Sequence, residues 1–264
     1  MTRRRLDHEL VRRGLVASRT EARAAVEAGL VRIGGSPATK PATLVDPGDA
    51  VSVVASVRSF ASRGGDKLLA GLERFEVDPT GRRCLDAGAS TGGFTDVLLR
   101  GGAARVAAVD VGYGQLAWAL RQDPRVEVHE RTNVRDLTVG DLSFVPDLVV
   151  CDLSFISLRV VLPALVRVSS DGAEFVLLVK PQFEAGRGEV GHGGVVRDAS
   201  VWGRVLTETV ETCRAEGIEV LGVMASPLPG PAGNVEFLLH GRRGRDRSDV
   251  DLGPALVEAE ALRR

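Results

Sequence analysis

The sequence has few residues suited to metal or disulfide chemistry. Among its 264 residues are three cysteines and four histidines. Cys84, Cys151 and Cys213 form no CxxC pair, and two of them sit inside apolar strand-like runs, so they read as small core residues and not as a disulfide framework. His8, His129, His192 and His240 are scattered without an HxxxH pair, and no metal is expected. Long apolar runs are also missing. The tract "FVPDLVVCDLSFISLRVVLPALVRV" is broken by Asp147, Asp152, Arg159 and two prolines, short of the roughly 18 apolar residues a membrane span needs. The opening "MTRRRLDHELVRRG" is basic but leads into an amphipathic pattern and not an apolar signal core. A cytoplasmic protein without a membrane partner is expected.

What is present is enough for a sizeable core: 44% of the residues are hydrophobic, and the length suits one large domain or a large one plus a small one. The net charge of −1 hides an asymmetry, +5 over residues 1–65 against −6 over the rest. A basic module on an acidic body points to a bound polyanion or to a solvated charged face.

The first 55 residues have their own organisation. Leu6, Leu10, Val11 and Leu15 lie at helical spacing, with Gly14 where a helix could end. Ser18 and Glu21 form a capping box ahead of a second amphipathic helix that carries Ala22, Ala25 and Val26 and closes at Gly29. Short β-like pieces follow, "LVRIGG" and "AVSVVAS", separated by the turn residues of "KPATLVDPGD". A short linker around "ASVRSFASRGGDK" leads to a new helix at "DKLLAGLERF".

From residue 82 strand-like and helix-like segments alternate, which predicts a parallel-rich sheet covered on both faces, an α/β fold of Rossmann-like type. Ligands of such sheets bind beyond the carboxyl ends of the strands, so the residues to watch are Asp86, Asp110, Asp152 and Lys180. The elbow "GASTGG" matches neither G-x-G-x-x-G nor a P-loop. Its glycines, Gly88, Gly92 and Gly93, allow close backbone approach before a helix start at about Phe94. Asp110, at the end of the next strand, is placed to accept from both hydroxyls of a ribose. An acid at the first strand, a glycine elbow and a ribose-binding acid together fit S-adenosylmethionine, although an aspartate ending a strand is often only a helix cap. Lys180 follows "FVLLV" and precedes a proline, an unusual place for a surface charge.

The N-terminal stretch resembles the S4 RNA-binding domain in its Arg-Leu-Asp start, its Ser-Arg-x-x-Ala, its Gly-x-Val and its late Gly-Asp. That resemblance implies a small α+β module that grips folded RNA through phosphates, with Arg4, Arg5, Arg19 and Lys40 as contacts. Lys67, Asp152, Lys180 and Glu236 match in order and context the K-D-K-E tetrad of FtsJ/RrmJ-like ribose 2′-O-methyltransferases. With "LDAGASTGGFTDVLL", "DVGYGQLAW", "ERTNVR", "DLSFIS", "LVKPQFE" and "SPLPGPAGNVEF", nearly the whole chain resembles the TlyA family, called hemolysin in older naming.

The family resemblance implies a class I S-adenosylmethionine-dependent methyltransferase that modifies cytidine ribose in 16S and/or 23S rRNA within 30S or 50S subunits, with no obligate protein partner. It implies sensitivity to capreomycin-type antibiotics where the same sites are modified. The implied cofactor contacts are Asp86, Gly88, Ala89, Ser90, Thr91, Gly92, Gly93, Phe94, Asp110, Val111 and Asn133. Lys180 is expected to orient and deprotonate the hydroxyl, Asp152 and Glu236 to hold the lysines, and Lys67 to add positive charge. Phe155 is expected to stack on the target base and Arg131 to contact RNA, with core packing as the alternative for Phe155.

The expected boundaries are 1–57 for the S4-like domain, 58–63 for the linker, 64–245 for the methyltransferase and 246–264 for a charged, solvated or partly helical tail. Three departures stand out: Arg58-Ser59-Phe60-Ala61 replaces the family's Arg-x-Trp-Val, "GGD" precedes Lys67 where relatives have Gly-x-His, and the tail "GRRGRDRSDVDLGPALVEAEALRR" has no clear match. A catalytically idle rRNA-binding or assembly protein, a small-molecule methyltransferase and a membrane-lytic protein are the alternatives.

Overall fold

The computed structural model describes residues 3–16, 19–27, 29–53, 60–186, 188–244 and 249–263. The chain forms two compact units, Met1–Ser59 and Phe60–Arg264.

In the first unit, β1 (Arg4–Arg5) leads into α1 (Leu6–Arg12), followed by α2 (Arg19–Glu27), β2 (Val31–Ile33), β3 (Ser36–Pro37), β4 (Leu44–Val45) and β5 (Val51–Val53). β2 is flanked by β3 and β5 in one antiparallel sheet, while β1 pairs with β4. Leu6, Leu10, Val16, Ala22, Val26, Val31, Ala38 and Val45 close a small core. Gly14 (φ +68°) and Gly29 (φ +70°) follow the two helices in the left-handed conformation glycine adopts without a steric penalty. Leu15, expected on the helix face, lies beyond α1 and is exposed, and Val16 takes the core position. The Ser18–Glu21 capping box and the linker residues Arg58 and Ser59 lie outside the described residues.

The second unit begins with α3 (Gly64–Phe75), so Lys67 lies in its first turn and not ahead of it. Then come β6 (Arg83–Ala87), α4 (Gly93–Arg100), β7 (Arg105–Val109), α5 (Trp118–Arg121), β8 (Val126–His129), β9 (Leu148–Cys151), α6 (Leu158–Val168), β10 (Glu174–Val179), α7 (Pro181–Glu184), α8 (Ala199–Ala215), β11 (Ile218–Ala225), β12 (Phe237–Arg243) and α9 (Gly253–Ala261). The seven strands order as β11-β12-β10-β9-β6-β7-β8. β12 runs antiparallel to both β10 and β11, and the other neighbouring pairs are parallel.

Alternate residues along the central strands feed two cores, as the two-residue period of a strand requires. Phe175, Leu177 and Val179 join the core that includes residues of α6, α8 and α9, whereas Val176 and Leu178 join that of α3 and α4. Cys84, Cys151 and Cys213 are all free thiols buried in these cores. Burial pushes the Cys84 and Cys213 thiols up to about 12 and Cys151 higher still. The stretch expected to be a solvated or partly helical tail carries the helix α9, but it is not simply solvated: Ala255 and Ala259 are fully buried, and Glu258 accepts a hydrogen bond from the Ala225 amide of β11 (3.1 Å). Small residues on one face let this helix approach the core, a feature hidden by the alternating charges around it.

Candidate active site

Parallel pairing aligns Ala87, Val109 and Cys151 at one end of the sheet, so Gly88, Asp110 and Asp152 emerge side by side. Gly88 sits at φ +93°, and a Cβ there would overlap the Asp152 carbonyl oxygen. Only glycine lets the ends of β6 and β9 close up in this way. Beyond the elbow, the Asp110 carboxylate accepts from the backbone amides of Ser90 (2.8 Å) and Gly112 (2.7 Å). Each carboxylate oxygen retains acceptor capacity for a hydroxyl donor.

These strand ends border a cavity of about 370 Å³ lined by Gly88, Ser90, Asp110, Val111, Gln115, Asn133 and the Asp152–Ile156 loop. Its volume falls within the range of about 300–1,000 Å³ usual for small-molecule sites. Of the expected cofactor contacts, Gly88, Ser90, Asp110, Val111 and Asn133 lie on its wall, and Ala89 lines a small adjoining recess. Thr91 is exposed on the elbow. Gly92 (φ +98°) packs on Leu116 and Leu120, Gly93 on Ser62, and Phe94 is buried in the α3–α4 core. Asp86 is fully buried: Thr95 Oγ1 donates to one oxygen at 2.6 Å, and the other has no hydrogen-bond partner among the described residues. Burial pushes this carboxyl up to about 7. The glycine-backed wall and the acceptors of Asp110 suit a ribose-bearing cofactor such as S-adenosylmethionine.

The four tetrad residues form two lysine–carboxylate pairs. Lys180, just after β10, contacts Asp152 Oδ1 at 2.5 Å and donates to Ser154 Oγ at 3.1 Å, and both partners line the cavity. Lys67 contacts Glu236 Oε2 at 2.5 Å, with both side chains almost wholly removed from solvent. Gln182 bridges the pairs along the chain, donating from Nε2 to Glu236 Oε1 at 3.2 Å two residues after Lys180. The antiparallel register of β10 with β12 pairs Val179 with Phe237, so Lys180 and Glu236, the next residue of each chain segment, leave the sheet at the same end. Gln182 and Ser154 stood inside the quoted segments "LVKPQFE" and "DLSFIS"; their polar type was visible, but the partners that give them roles were not.

Phe155 is 90% exposed, so it is not a core residue, and it holds φ +65°, which for a bulky side chain costs of order 1–3 kcal/mol. Its ring lies 5.1 Å from that of Phe183. Arg131, also in the left-handed region, stacks its guanidinium 4.3 Å from the Tyr113 ring centroid. Tyr113 was not foreseen as a partner.

In the first unit, Arg4 and Arg5 line a concave surface with His8 and Arg12. Asp7 is buried and meets Arg5 (2.9 Å), Arg19 (3.4 Å) and Arg23 (3.7 Å); the hydrogen bonds from Arg5 hold its carboxyl well below the usual range. Glu9 is held by Arg12 and Arg13 in the same way. Lys40 is exposed, next to a segment tied to the start of α1 by Leu6 N–Thr43 O (2.7 Å) and Asp7 N–Pro41 O (3.0 Å).

The strand order, glycine elbow and cavity, in a unit matched by the FtsJ-like methyltransferase model, are those of a class I S-adenosylmethionine-dependent methyltransferase. The FtsJ-like methyltransferase family model matches residues 60–243 and the S4 domain model residues 4–51. The chain belongs to the FtsJ-like methyltransferases, in the TlyA family, and is an enzyme. It is 57% identical over 258 residues to the 16S/23S rRNA (cytidine-2′-O)-methyltransferase TlyA of Mycobacterium tuberculosis, covering 93% of this chain and 92% of that protein. It is 36% identical over 237 residues to hemolysin A of Brachyspira hyodysenteriae, covering 89% and 98%. A structure named as a hemolysin from Streptococcus thermophilus superposes with a TM-score of 0.78 at 38% identity, covering 99% of this chain and 97% of the other.

Proposed function

We propose that the protein transfers a methyl group from S-adenosylmethionine to the ribose 2′-oxygen of a cytidine in 16S rRNA, 23S rRNA or both, within 30S or 50S subunits in the cytoplasm. The observation that carries this reading is the Lys180–Asp152 contact on the wall of the elbow cavity, in a chain so similar to a named rRNA (cytidine-2′-O)-methyltransferase.

Bound S-adenosylmethionine supplies an electrophilic methyl group on a sulfonium. Gly88, Ser90, Asp110, Val111 and Asn133 would hold it. Lys180 Nζ, steadied by Asp152 and Ser154, orients the 2′-hydroxyl and, once it has released one of its own protons to solvent, takes the hydroxyl proton on the freed lone pair, since the neutral hydroxyl is a weak nucleophile. Glu236 and Gln182 fix Lys67, whose charge offsets the negative charge developing on the oxygen. Phe155 stacks on the exposed target base and Arg131 contacts the RNA, while Arg4, Arg5, Arg19 and Lys40 of the first unit grip RNA phosphates. Methylation at these nucleotides would confer sensitivity to capreomycin-type antibiotics.

The test is transfer of labelled methyl to unmethylated 30S and 50S particles, with the modified nucleotides mapped by reverse-transcription stops. Lys180→Ala is expected to abolish transfer while calorimetry still detects cofactor binding; a fully active variant sinks the assignment. Cofactor binding without transfer by the parent protein would favour an idle rRNA-binding protein. Some relatives are named hemolysins, yet no helix among the described residues is long and apolar enough to cross a membrane.

A further inference from the structure

Phe155 is held in an exposed, left-handed conformation that its own side chain does not favour, so something else must hold the loop. Besides the apolar packing of Leu153 and Ile156 and the Asp152 amide bond to Ala87, supports come from one five-residue segment, Lys180–Glu184. At the start of the loop Lys180 contacts Asp152 (2.5 Å) and Ser154 (3.1 Å). At its crest the Phe183 ring lies against Phe155. At its end Glu184, itself buried, accepts from Ser157 Oγ (2.5 Å) and from the Leu158 amide (2.7 Å) at the first turn of α6. Arg159 closes the bracket by donating to the Glu184 carbonyl oxygen (2.9 Å).

We infer that Glu184 is a positioning residue for methyl transfer: it fixes the far end of the 152–157 loop so that Phe155 stands ready for the target nucleotide. This rests on the reading of Phe155 proposed above. No other side chain on the segment performs this task, because Lys180 and Phe183 leave residues 156–158 unbraced. A carboxylate is suited to it, since its two oxygens accept from two donors at once, the Ser157 hydroxyl and the Leu158 amide. An amide here would keep one acceptor for the Leu158 amide but could meet the Ser157 hydroxyl only as a donor, and it would give up the charge that strengthens both bonds and pairs with Arg159 (3.8 Å).

The measurement is steady-state methyl transfer on purified subunits by the parent protein, Glu184→Gln, Phe155→Ala and the double variant, with cofactor affinity by calorimetry. Glu184→Gln is expected to lower kcat/KM for RNA by about 10- to 100-fold, the size of a roughly 1 Å misplacement of a reacting group, with cofactor affinity unchanged. In the Phe155→Ala background the same change is expected to add less than about 2-fold, because its effect runs through Phe155. Multiplying losses, or a Glu184→Gln variant as active as the parent, would overturn the inference.

A second readout does not depend on turnover. A fluorescent cytidine analogue at the mapped target position is expected to brighten on binding to the parent protein and to stay dim with Glu184→Gln; equal brightening overturns the role. If Glu184→Gln fails to fold, Ser157→Ala, which removes only the hydroxyl donor, is expected to show the same non-additivity with Phe155→Ala. Failure of the parent protein to methylate either subunit would instead sink the proposed function, and that outcome is seen before any variant is compared.

Discussion

Lys67 and Glu236 are charged yet almost wholly removed from water, so their stabilising and chemical roles can be separated. Removing one partner leaves a buried, unpaired charge: Glu236→Gln is expected to cost about 3–5 kcal/mol in chemical denaturation. The combined Lys67→Met/Glu236→Leu change, apolar and similar in volume, is expected to recover most of that loss and to remain inactive in methyl transfer. Asp86 behaves differently, because burial raises its carboxyl from an ordinary 3.8 to about 7. Below about pH 4 it is protonated in both folded and unfolded chains. Between about pH 4 and pH 7 the unfolded chain releases the proton that the folded chain keeps, so the parent protein loses stability as pH rises, and above about 7 the loss levels off. The melting-temperature gain of Asp86→Asn over the parent should therefore grow across that window and then stay constant; a flat difference would mean a carboxyl ionised throughout. Strand-end acids were legible from the sequence because a carboxylate after an apolar run stands out. That Asp86 lies inside its strand, capped by Thr95, was not, because nothing local distinguishes it from Asp110 or Asp152.

The elements carry a similar mixture. Apolar runs and glycine punctuation were enough to find each strand of the large sheet, since buried parallel strands have few other compositions available. What the runs could not supply was direction. In an all-parallel sheet the start of a strand lies at the end away from the ligand, which would put Glu236 far from Lys180. Because β12 inserts antiparallel between β10 and β11, its start reaches the ligand end, a pairing choice made by distant segments. The close approach of β6 and β9 makes its own prediction. Gly88→Ala adds a methyl group against the Asp152 backbone and forces a left-handed φ on alanine. A loss of about 1–3 kcal/mol in stability and a weakened cofactor affinity by calorimetry are expected together; intact affinity would mean that the elbow does not shape the cavity wall.

For the whole molecule, the charge asymmetry could be summed from the sequence without any knowledge of the fold, but its arrangement could not. The N-terminal unit buries Asp7 and Glu9 and turns arginines outward around them, so its surface is more positive than its net charge suggests. RNA affinity should then fall linearly on a log–log plot against salt, with a slope of about −0.7 to −0.9 per phosphate contacted. Replacing Arg4 and Arg5 with glutamine should flatten that slope by roughly 1–2 while leaving cofactor binding alone; an unchanged slope would remove them from the interface.

The three thiols sealed in the cores have a practical consequence. A thiol both inaccessible and held protonated near neutral pH does not react with maleimides or other alkylating reagents while the protein is folded. The folded enzyme is thus chemically silent toward sulfur labelling, and a single cysteine introduced at an exposed position, such as Val257 on α9, becomes the attachment point for a fluorophore or spin label without any native residue having to be removed first.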